Sequence, residues 1–328
     1  MDALTATGLV LLGLLLLAGG GEALVRAATT IADLAGVSPA VIGLTVVAIG
    51  TSLPELVVSL MAAARGEPDL AVANVVGSNI FTVAAILGLT ALIIPLPVHG
   101  TAVRLEWPVM FGASLLCLTL ARDGAIDRVE GGLFVITFAM FIAYTVHVAR
   151  RDVSAAEARQ FAEQTEAHDI DVRPARKGTP QLLITLGVLA LGLASLVAGG
   201  KFLVDGAIAL ARIADMTERV IGLTIVAGGT SAPELATSLV AAFRKRTDVA
   251  VANIIGSNIF NILGILGVTA LIAPIPVAPA IVRGDMWWMI GTTVLLLPLL
   301  RSGARLSRAE GGVLLGVYAT YIVLLWRS

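Results

Sequence analysis

The segment Val41–Val98 recurs without a gap as Val220–Val277, and 38 of the 58 aligned positions are identical. The likeness runs outward from this block. LLLLAGGGEALV near residue 20 matches ASLVAGGKFLV near residue 200 at the same offset, and RVEGG at Arg128 matches RAEGG at Arg308 one position out of that register. The chain therefore reads as two copies of one unit, and its fold has to satisfy the same sequence twice.

What kind of unit follows from composition. Apolar residues make up 57% of the chain and charged ones 14%, with a mean hydropathy of +0.94. Soluble domains sit near about 45–50% and about 25%, so the chain reads as an integral membrane protein in a lipid bilayer. A spanning helix needs roughly 20 mostly apolar residues. Ten segments qualify: 4–24, 39–64, 70–93, 105–121, 131–149, 180–204, 219–243, 249–272, 284–300 and 310–326. The uncharged cores of the fourth and ninth, Trp107–Ala121 and Met286–Leu300, fall short of that length, so these two span only with their flanking charges at the interface. The run Leu4–Gly21 lacks a preceding Lys or Arg and matches an internal segment. It reads as part of the fold and not as a signal peptide.

These spans predict an all-α membrane protein: ten transmembrane helices arranged as two inverted five-helix repeats. Five is odd, so the second copy enters the bilayer from the opposite side. The halves are residues 1–149 and 180–328, with the repeated blocks 41–98 and 220–277 inside them. The hydrophilic stretch 150–179 between them reads as a cytoplasmic linker, with a short amphipathic helix expected near Ala155–Glu166. Placing both termini outside puts 14 Lys/Arg on the cytoplasmic side and 7 on the other, in line with the positive-inside rule. Inverted repeats of this kind are typical of secondary transporters, whose sites lie at the repeat interface near the midplane.

The centre of each repeat breaks the rules of a spanning helix. VVAIGTSLPELVVSL places Pro54 and Glu55 in mid-span, and IVAGGTSAPELATSL repeats them as Pro233 and Glu234. Pro54 has no N–H, so the Gly50 carbonyl loses its helical partner. Freed carbonyls at bilayer depth are tolerated where they face protein or line a cavity. Thr51 and Ser52, with Thr230 and Ser231, add hydroxyls in the same turns. An acid at the centre of a spanning helix costs about 2.5–3.5 kcal/mol on insertion scales, and a divalent cation between two acids removes that cost. Hard cations such as Ca²⁺ take 6–8 oxygen ligands. The motifs contain no Cys, His or Met, so nothing in them suits a soft metal.

A second motif pair, NVVGSNIFTVAAILG from Asn74 and NIIGSNIFNILGILG from Asn253, interrupts apolar helices with small polar residues. The glycines let another helix approach closely. Ser78 and Ser257 are candidates to complete oxygen cages around monovalent ions, and Thr82 and Asn261 fall four residues further on the same face. Glu22 and Lys201 occupy equivalent positions near span ends, where an interfacial role is expected. The net charge of −1 offers no basic field for nucleic acid. The single cysteine, Cys117, allows neither an intrachain disulfide nor a thiolate cluster. No nucleophile–base pair marks the chain as an enzyme, and no cofactor or obligatory protein partner is expected.

The doubled G-T-S-x-P-E and G-S-N-I motifs resemble the α-repeats of the sodium/calcium exchanger family, of prokaryotic type, within the cation/calcium exchanger superfamily. The resemblance covers all ten expected spans. It implies an antiporter in a prokaryotic cell membrane that exchanges Ca²⁺ for Na⁺. It further implies a Ca²⁺ site made by Glu55 and Glu234 with the backbone carbonyls of Thr51 and Thr230. Flanking Na⁺ sites would use Ser52, Ser231, Ser78, Ser257, the Thr51 and Thr230 hydroxyls, and the carbonyls of Ala48 and Ala227. Motion by sliding of the first and sixth spans over a rigid core is also implied. The family commonly carries an Asp in one repeat at the position of Thr82 or Asn261; here both are neutral. Proton-coupled relatives usually show G-N-x-x-E where this chain has G-T-S-x-P-E. The alternative on the same scaffold is a Ca²⁺/H⁺ antiporter, and a cation channel is a reading of a different class.

Overall fold

The computed structural model describes residues 2–64, 69–98, 100, 102–151, 179–214 and 227–327. The helix expected near Ala155–Glu166, and residues 219–226 of the seventh expected span, lie outside them. In chain order the elements are α1 (Ala3–Ala35), α2 (Pro39–Thr51), α3 (Leu53–Ala64), α4 (Leu70–Ile93), β1 (Leu96–Pro97), α5 (Ala102–Asp123), β2 (Ala125–Ile126) and α6 (Arg128–Arg151). The second half runs α7 (Thr179–Ile213), α8 (Ala227–Thr230), α9 (Ala232–Phe243), α10 (Thr247–Ile272), β3 (Ile275–Pro276), α11 (Met286–Arg301), β4 (Arg305–Leu306) and α12 (Arg308–Arg327).

The helices have the length and apolarity of membrane spans. Among the described residues, seven helices pass that test, and an eighth span is the bent pair α2–α3. Of the ten expected segments, the ninth is α11, 16 residues that continue a π-helical turn at Ile281–Asp285. The described part of the seventh is α8 with the short apolar helix α9. One feature departs from the all-α expectation: two antiparallel ladders of two residues each, β1 with β4 and β2 with β3. They form in the Pro-containing turns after α4 and α10, where the missing N–H of proline ends the helix.

The centre of the molecule is α4 crossing α10. In their apolar windows 72% and 89% of residues are buried, against 17% for α12. A helix that is apolar all round belongs in the core, and these two are apolar all round. The start of α10 lies against β1, which follows the end of α4, and the start of α4 lies against β3, which follows the end of α10. The two helices therefore run antiparallel. Each also carries a wide π-helical turn at the same repeat position, Phe81–Ile86 and Phe260–Leu266.

The two halves stitch each other at the helix ends. Asp127 and Glu130 form a reciprocal capping box at the start of α6, with bonds of 2.8 and 2.9 Å. Ser307 and Glu310 do the same for α12. This arrangement supplies the orphan N–H groups of a first helical turn. The next residue in each case reaches across: Arg128 donates to the Ile272 carbonyl at the end of α10, and Arg308 to the Ile93 carbonyl at the end of α4. Each core helix thus ends on an arginine from the other half.

Helices α1 and α7 are joined by a seam of small residues. A methyl group at Gly13 would sit 2.8 Å from the Gly199 carbonyl oxygen, one at Gly20 2.9 Å from that of Gly192, and one at Gly206 2.7 Å from that of Ala6. On each helix the contact residues recur every seven positions (Ala6, Gly13, Gly20; Gly192, Gly199, Gly206), and their pairing is antiparallel. Heptad spacing keeps one stripe facing the partner along the full length. Small side chains let two backbones touch where lipid gives no hydrophobic drive for association. Gly199→Val should lower stability to unfolding in detergent by about 1–3 kcal/mol, the usual cost of overpacking. Gly187→Val on the same helix, where a methyl meets nothing within 4 Å, is the control and should be close to neutral.

Candidate functional site

The site begins where α2 and α8 stop. Pro54 and Pro233 each stand at the opening of the following helix. The residue two before each proline leaves the helical region in the same way: Ser52 has φ −88° and ψ 11°, Ser231 φ −87° and ψ 12°. In the first half the chain bends by 43° at this point. Helices α3 and α9 then start anew, with Glu55 and Glu234 in their first turns. A helix N-terminus carries partial positive charge from its free N–H groups, so each acid stands where backbone dipoles favour an anion.

The two starts face each other across the repeat boundary. Ser52 Oγ donates to Glu234 Oε1 at 2.8 Å, and Ser231 Oγ donates to Glu55 Oε1 at 2.8 Å. The hydroxyls of Thr51 and Thr230 stand beside Glu234 and Glu55 respectively. Both carboxylates are wholly buried, and they are close enough to repel each other. The second oxygen of each, Glu55 Oε2 and Glu234 Oε2, has no hydrogen-bond partner. Buried polar atoms in folded proteins are normally paired, so two orphaned carboxylate oxygens at one spot point to a positive charge. Two more orphans belong to the other motif, Ser257 Oγ and Asn261 Oδ1. All are hard oxygen donors. Among the described residues no cluster of three or more His, Cys, Asp or Glu side chains exists that could hold a metal, so any ion here must draw on hydroxyl and carbonyl oxygens as well.

Of the remaining expected residues, Ala48, Ser78 and Thr82 are buried, and Thr230 is half-buried. Ala48 uses its carbonyl to accept from Ser52 N at 3.2 Å and from Thr51 Oγ1 at 3.4 Å. Ala227 is the first residue of α8. Thr82 and Asn261 lie within the π-helical turns of α4 and α10. They do not simply point at the acids; they belong to a crossing network. Asn258 Nδ2 donates to Thr82 Oγ1 at 2.7 Å, Asn261 Nδ2 to Asn79 Oδ1 at 3.0 Å, and Asn79 Nδ2 to the Asn258 carbonyl at 3.2 Å.

Sequence reasoning passed over three sets of residues. Asn79 and Asn258 read as polar interruptions, yet they bolt α4 to α10. Asn74 donates to Ser59 Oγ at 3.1 Å and to the Glu55 carbonyl at 3.2 Å, and Asn253 donates to Ser238 Oγ at 3.3 Å. These asparagines fix α3 and α9 on the core helices. Their signal was available: the asparagines are identical in the two repeats, and so are Ser59 and Ser238. The third is Thr237, buried with an unpartnered hydroxyl one turn beyond Glu234. Its repeat equivalent is Val58, so duplication could not flag it.

The family model described as sodium/calcium exchanger protein matches residues 5–147 and 184–327, which together take in both halves and both acids. The chain belongs to the sodium/calcium exchanger family. CaxA of Alkalimonas amylolytica is 39% identical over 99% of this chain and 100% of its own length. The sodium/calcium exchanger MaX1 of Methanosarcina acetivorans is 32% identical over 97% of each chain. A solved structure of the sodium-calcium exchanger NCX_Mj superposes with a TM-score of 0.82 at 31% identity, covering 99% of this chain and 100% of that one. Members of the family are transporters and not enzymes, and this chain is a multi-pass helical membrane protein of that fold.

In this exchanger-family fold the asparagine network is a structural element in its own right. Asn258→Leu removes two donated bonds, one of them the bond to the buried Thr82 hydroxyl across the crossing. Stability should fall by about 1–3 kcal/mol. Asn258→Leu with Thr82→Val should cost less than the sum of the two singles, because the two side chains share a bond. Thermal or chemical unfolding of the four proteins in detergent checks both statements.

Proposed function

We propose that this chain is a secondary antiporter that exchanges Ca²⁺ for Na⁺ by alternating access. The observation that carries the reading is the pair of fully buried, mutually facing carboxylates, each with one oxygen left without a hydrogen bond. Two negative charges in a low-dielectric centre demand compensation, and a cation between them supplies it. A Ca²⁺ ion would take one or both oxygens of Glu55 and Glu234, with the backbone carbonyls of Thr51 and Thr230 added from the broken turns. That is the oxygen-only, high-coordination environment Ca²⁺ prefers. Na⁺ ions would divide the same acids with Ser52, Ser231, Ser78, Ser257, the Thr51 and Thr230 hydroxyls and the carbonyls of Ala48 and Ala227. Asn261 Oδ1 and Thr82 complete the candidate set. Because both ions need the two glutamates, they exclude each other, and exclusion at one site is what couples opposite fluxes. The ions are cargo, and the reading assigns no resident cofactor.

The architecture that goes with this reading is ten spans in two inverted five-helix repeats, residues 1–149 and 180–328, joined by a cytoplasmic linker at 150–179, with both termini outside. The antiparallel α4 and α10 and the exchange-related ladders β1–β4 and β2–β3 support inversion. The glycine seam makes α1 and α7 one stiff pair, suited to slide over the rest of the molecule as a unit.

A second reading, Ca²⁺/H⁺ exchange at the same acids, is favoured by one observation: Thr82 and Asn261 are both neutral and bound into the asparagine network, so the site holds two acids and not three. Uptake of radiolabelled Ca²⁺ into proteoliposomes decides between them. With pH clamped and Na⁺ loaded inside, uptake should require the outward Na⁺ gradient and fall to background in Glu55→Gln and in Glu234→Gln. Uptake indifferent to Na⁺ but driven by an imposed pH gradient would replace Na⁺ by H⁺ as the coupling ion. Uptake that needs neither gradient and persists in both variants would remove the antiporter reading.

A further inference from the structure

The two halves are nearly identical at the acids but not at their covers. On α9, two and three residues beyond Glu234, Ala236 is half-buried and Thr237 fully buried. The equivalent positions on α3, Val57 and Val58, are 52% and 42% exposed. What covers α9 is α1. A methyl at Gly21 would meet Val240 and Ala236 of α9 at 3.2 and 3.4 Å. Val25, the next turn of α1, is buried with Ala241, Val249 and Ala250.

This contact ends in an ion pair between the halves. Glu22 on α1 accepts from Arg244, the residue directly after α9, through both carboxylate oxygens: Nη2 to Oε1 at 2.6 Å and Nε to Oε2 at 2.8 Å. The two-toothed geometry is the strong form of an arginine–carboxylate pair. Arg26, one turn further along α1, also bonds Glu22. The repeat does not reproduce this arrangement. In the repeat alignment Glu22 corresponds to Lys201, and Arg244 corresponds to Arg65. Arg65 lies outside the described residues. Arg26 corresponds to Asp205, so on the spanning helix the acid and the base exchange places between the halves.

We propose that Glu22 and Arg244 form a one-sided latch that holds α1 over α9 and closes the route from Glu234 to one membrane face. The acid Glu234 and Arg244 are ten positions apart on a continuous helical stretch, about 15 Å at 1.5 Å per residue. Lifting α1 from α9 uncovers the face that carries Ala236 and Val240. At the position of Glu22 the other half carries a base, Lys201, and there Val57 and Val58 of α3 stand exposed. The latch therefore biases the empty transporter toward opening at the opposite face, along α3. The proposal rests on the alternating-access reading above, but its test does not require transport.

The test uses the full chain in lipid nanodiscs, where both faces meet solvent, with Cys117→Ser and a reporter Ala236→Cys. A charged, membrane-impermeant thiol reagent reads how often α1 leaves α9. Glu22→Gln and Arg244→Gln should each raise the labelling rate on the order of two- to fivefold, the population shift a partly exposed ion pair can sustain. The charge swap Glu22→Arg with Arg244→Glu should bring the rate back toward the parent value. On the other side, Lys201→Glu supplies an acid to match the base Arg65 and should slow labelling of Val57→Cys. Unchanged labelling in both single variants would overturn the latch, and so would a rise that the swap fails to reverse, which would mean packing alone. Failure of the antiporter reading shows elsewhere, as absent cation exchange by the parent protein in proteoliposomes, so the two failures are distinguishable.

Discussion

Two carboxylates with no access to solvent are the constraint around which this molecule is arranged. Neither Glu55 nor Glu234 has an ion-pair partner among the described residues, and one oxygen of each lacks even a hydrogen bond. A soluble protein would neutralise such groups with arginine or lysine. Here the compensation is supplied only in part and by dipoles: a helix start beneath each acid, with a serine and a threonine hydroxyl from the opposite half. Complete compensation would be self-defeating in a transporter. A site satisfied by the protein alone has no use for a mobile cation, and a site with no support would not survive insertion. The half-satisfied acid lies between these limits.

Broken helices are the means of reaching that state. A regular helix consumes its own carbonyls and N–H groups and offers a ligand nothing but side chains. Proline after a G-T-S turn stops one helix and starts another, which exposes carbonyls on one side of the break and N–H dipoles on the other. Such a break needs protein on every side. That requirement explains the intensity of packing at the centre: α4 and α10 are the most buried helices, Asn74 and Asn253 hold the restarted helices to them, and Asn79 and Asn258 lock them to each other. The π-helical turns add to this by shifting Thr82 and Asn261 out of regular register, a device common at functional positions.

Duplication made the acids, the breaks and the G-S-N turns visible in the sequence, since a costly residue that appears twice at one spacing is not accidental. It also hid what identical residues do not announce. Asn74, Asn253, Ser59 and Ser238 were present in both copies, yet their partners sit 15 residues apart on different helices, a relation that periodicity within one helix does not reveal. The two ladders of two residues each fall in Pro-containing turns that read as loops. The seven-residue recurrence of small residues in α1 and α7 was obscured by the many other glycines in the chain. The described part of the seventh expected span is two short helices, divided where Ser231 leaves the helical region ahead of Pro233.

On the antiporter reading proposed above, two halves related by inversion would give two equivalent ways to open, and differences between the halves would set which is favoured at rest. The identity of the repeats at the acids keeps the ion's surroundings alike whichever face is open, so the site need not be rebuilt during a cycle. Differences are therefore best placed away from it. One difference falls there, Glu22 against Lys201 at the cover, and two fall nearer the site, Thr237 against Val58 one turn from the acid and Asn261 against Thr82 in the π-helical turns. A change in a cover shifts the balance between the two open states without altering what binds. A change at Thr82 or Asn261 alters the charge of the site itself and hence what can be exchanged. Both of those positions are neutral here, which leaves the charge of the centre to the two glutamates.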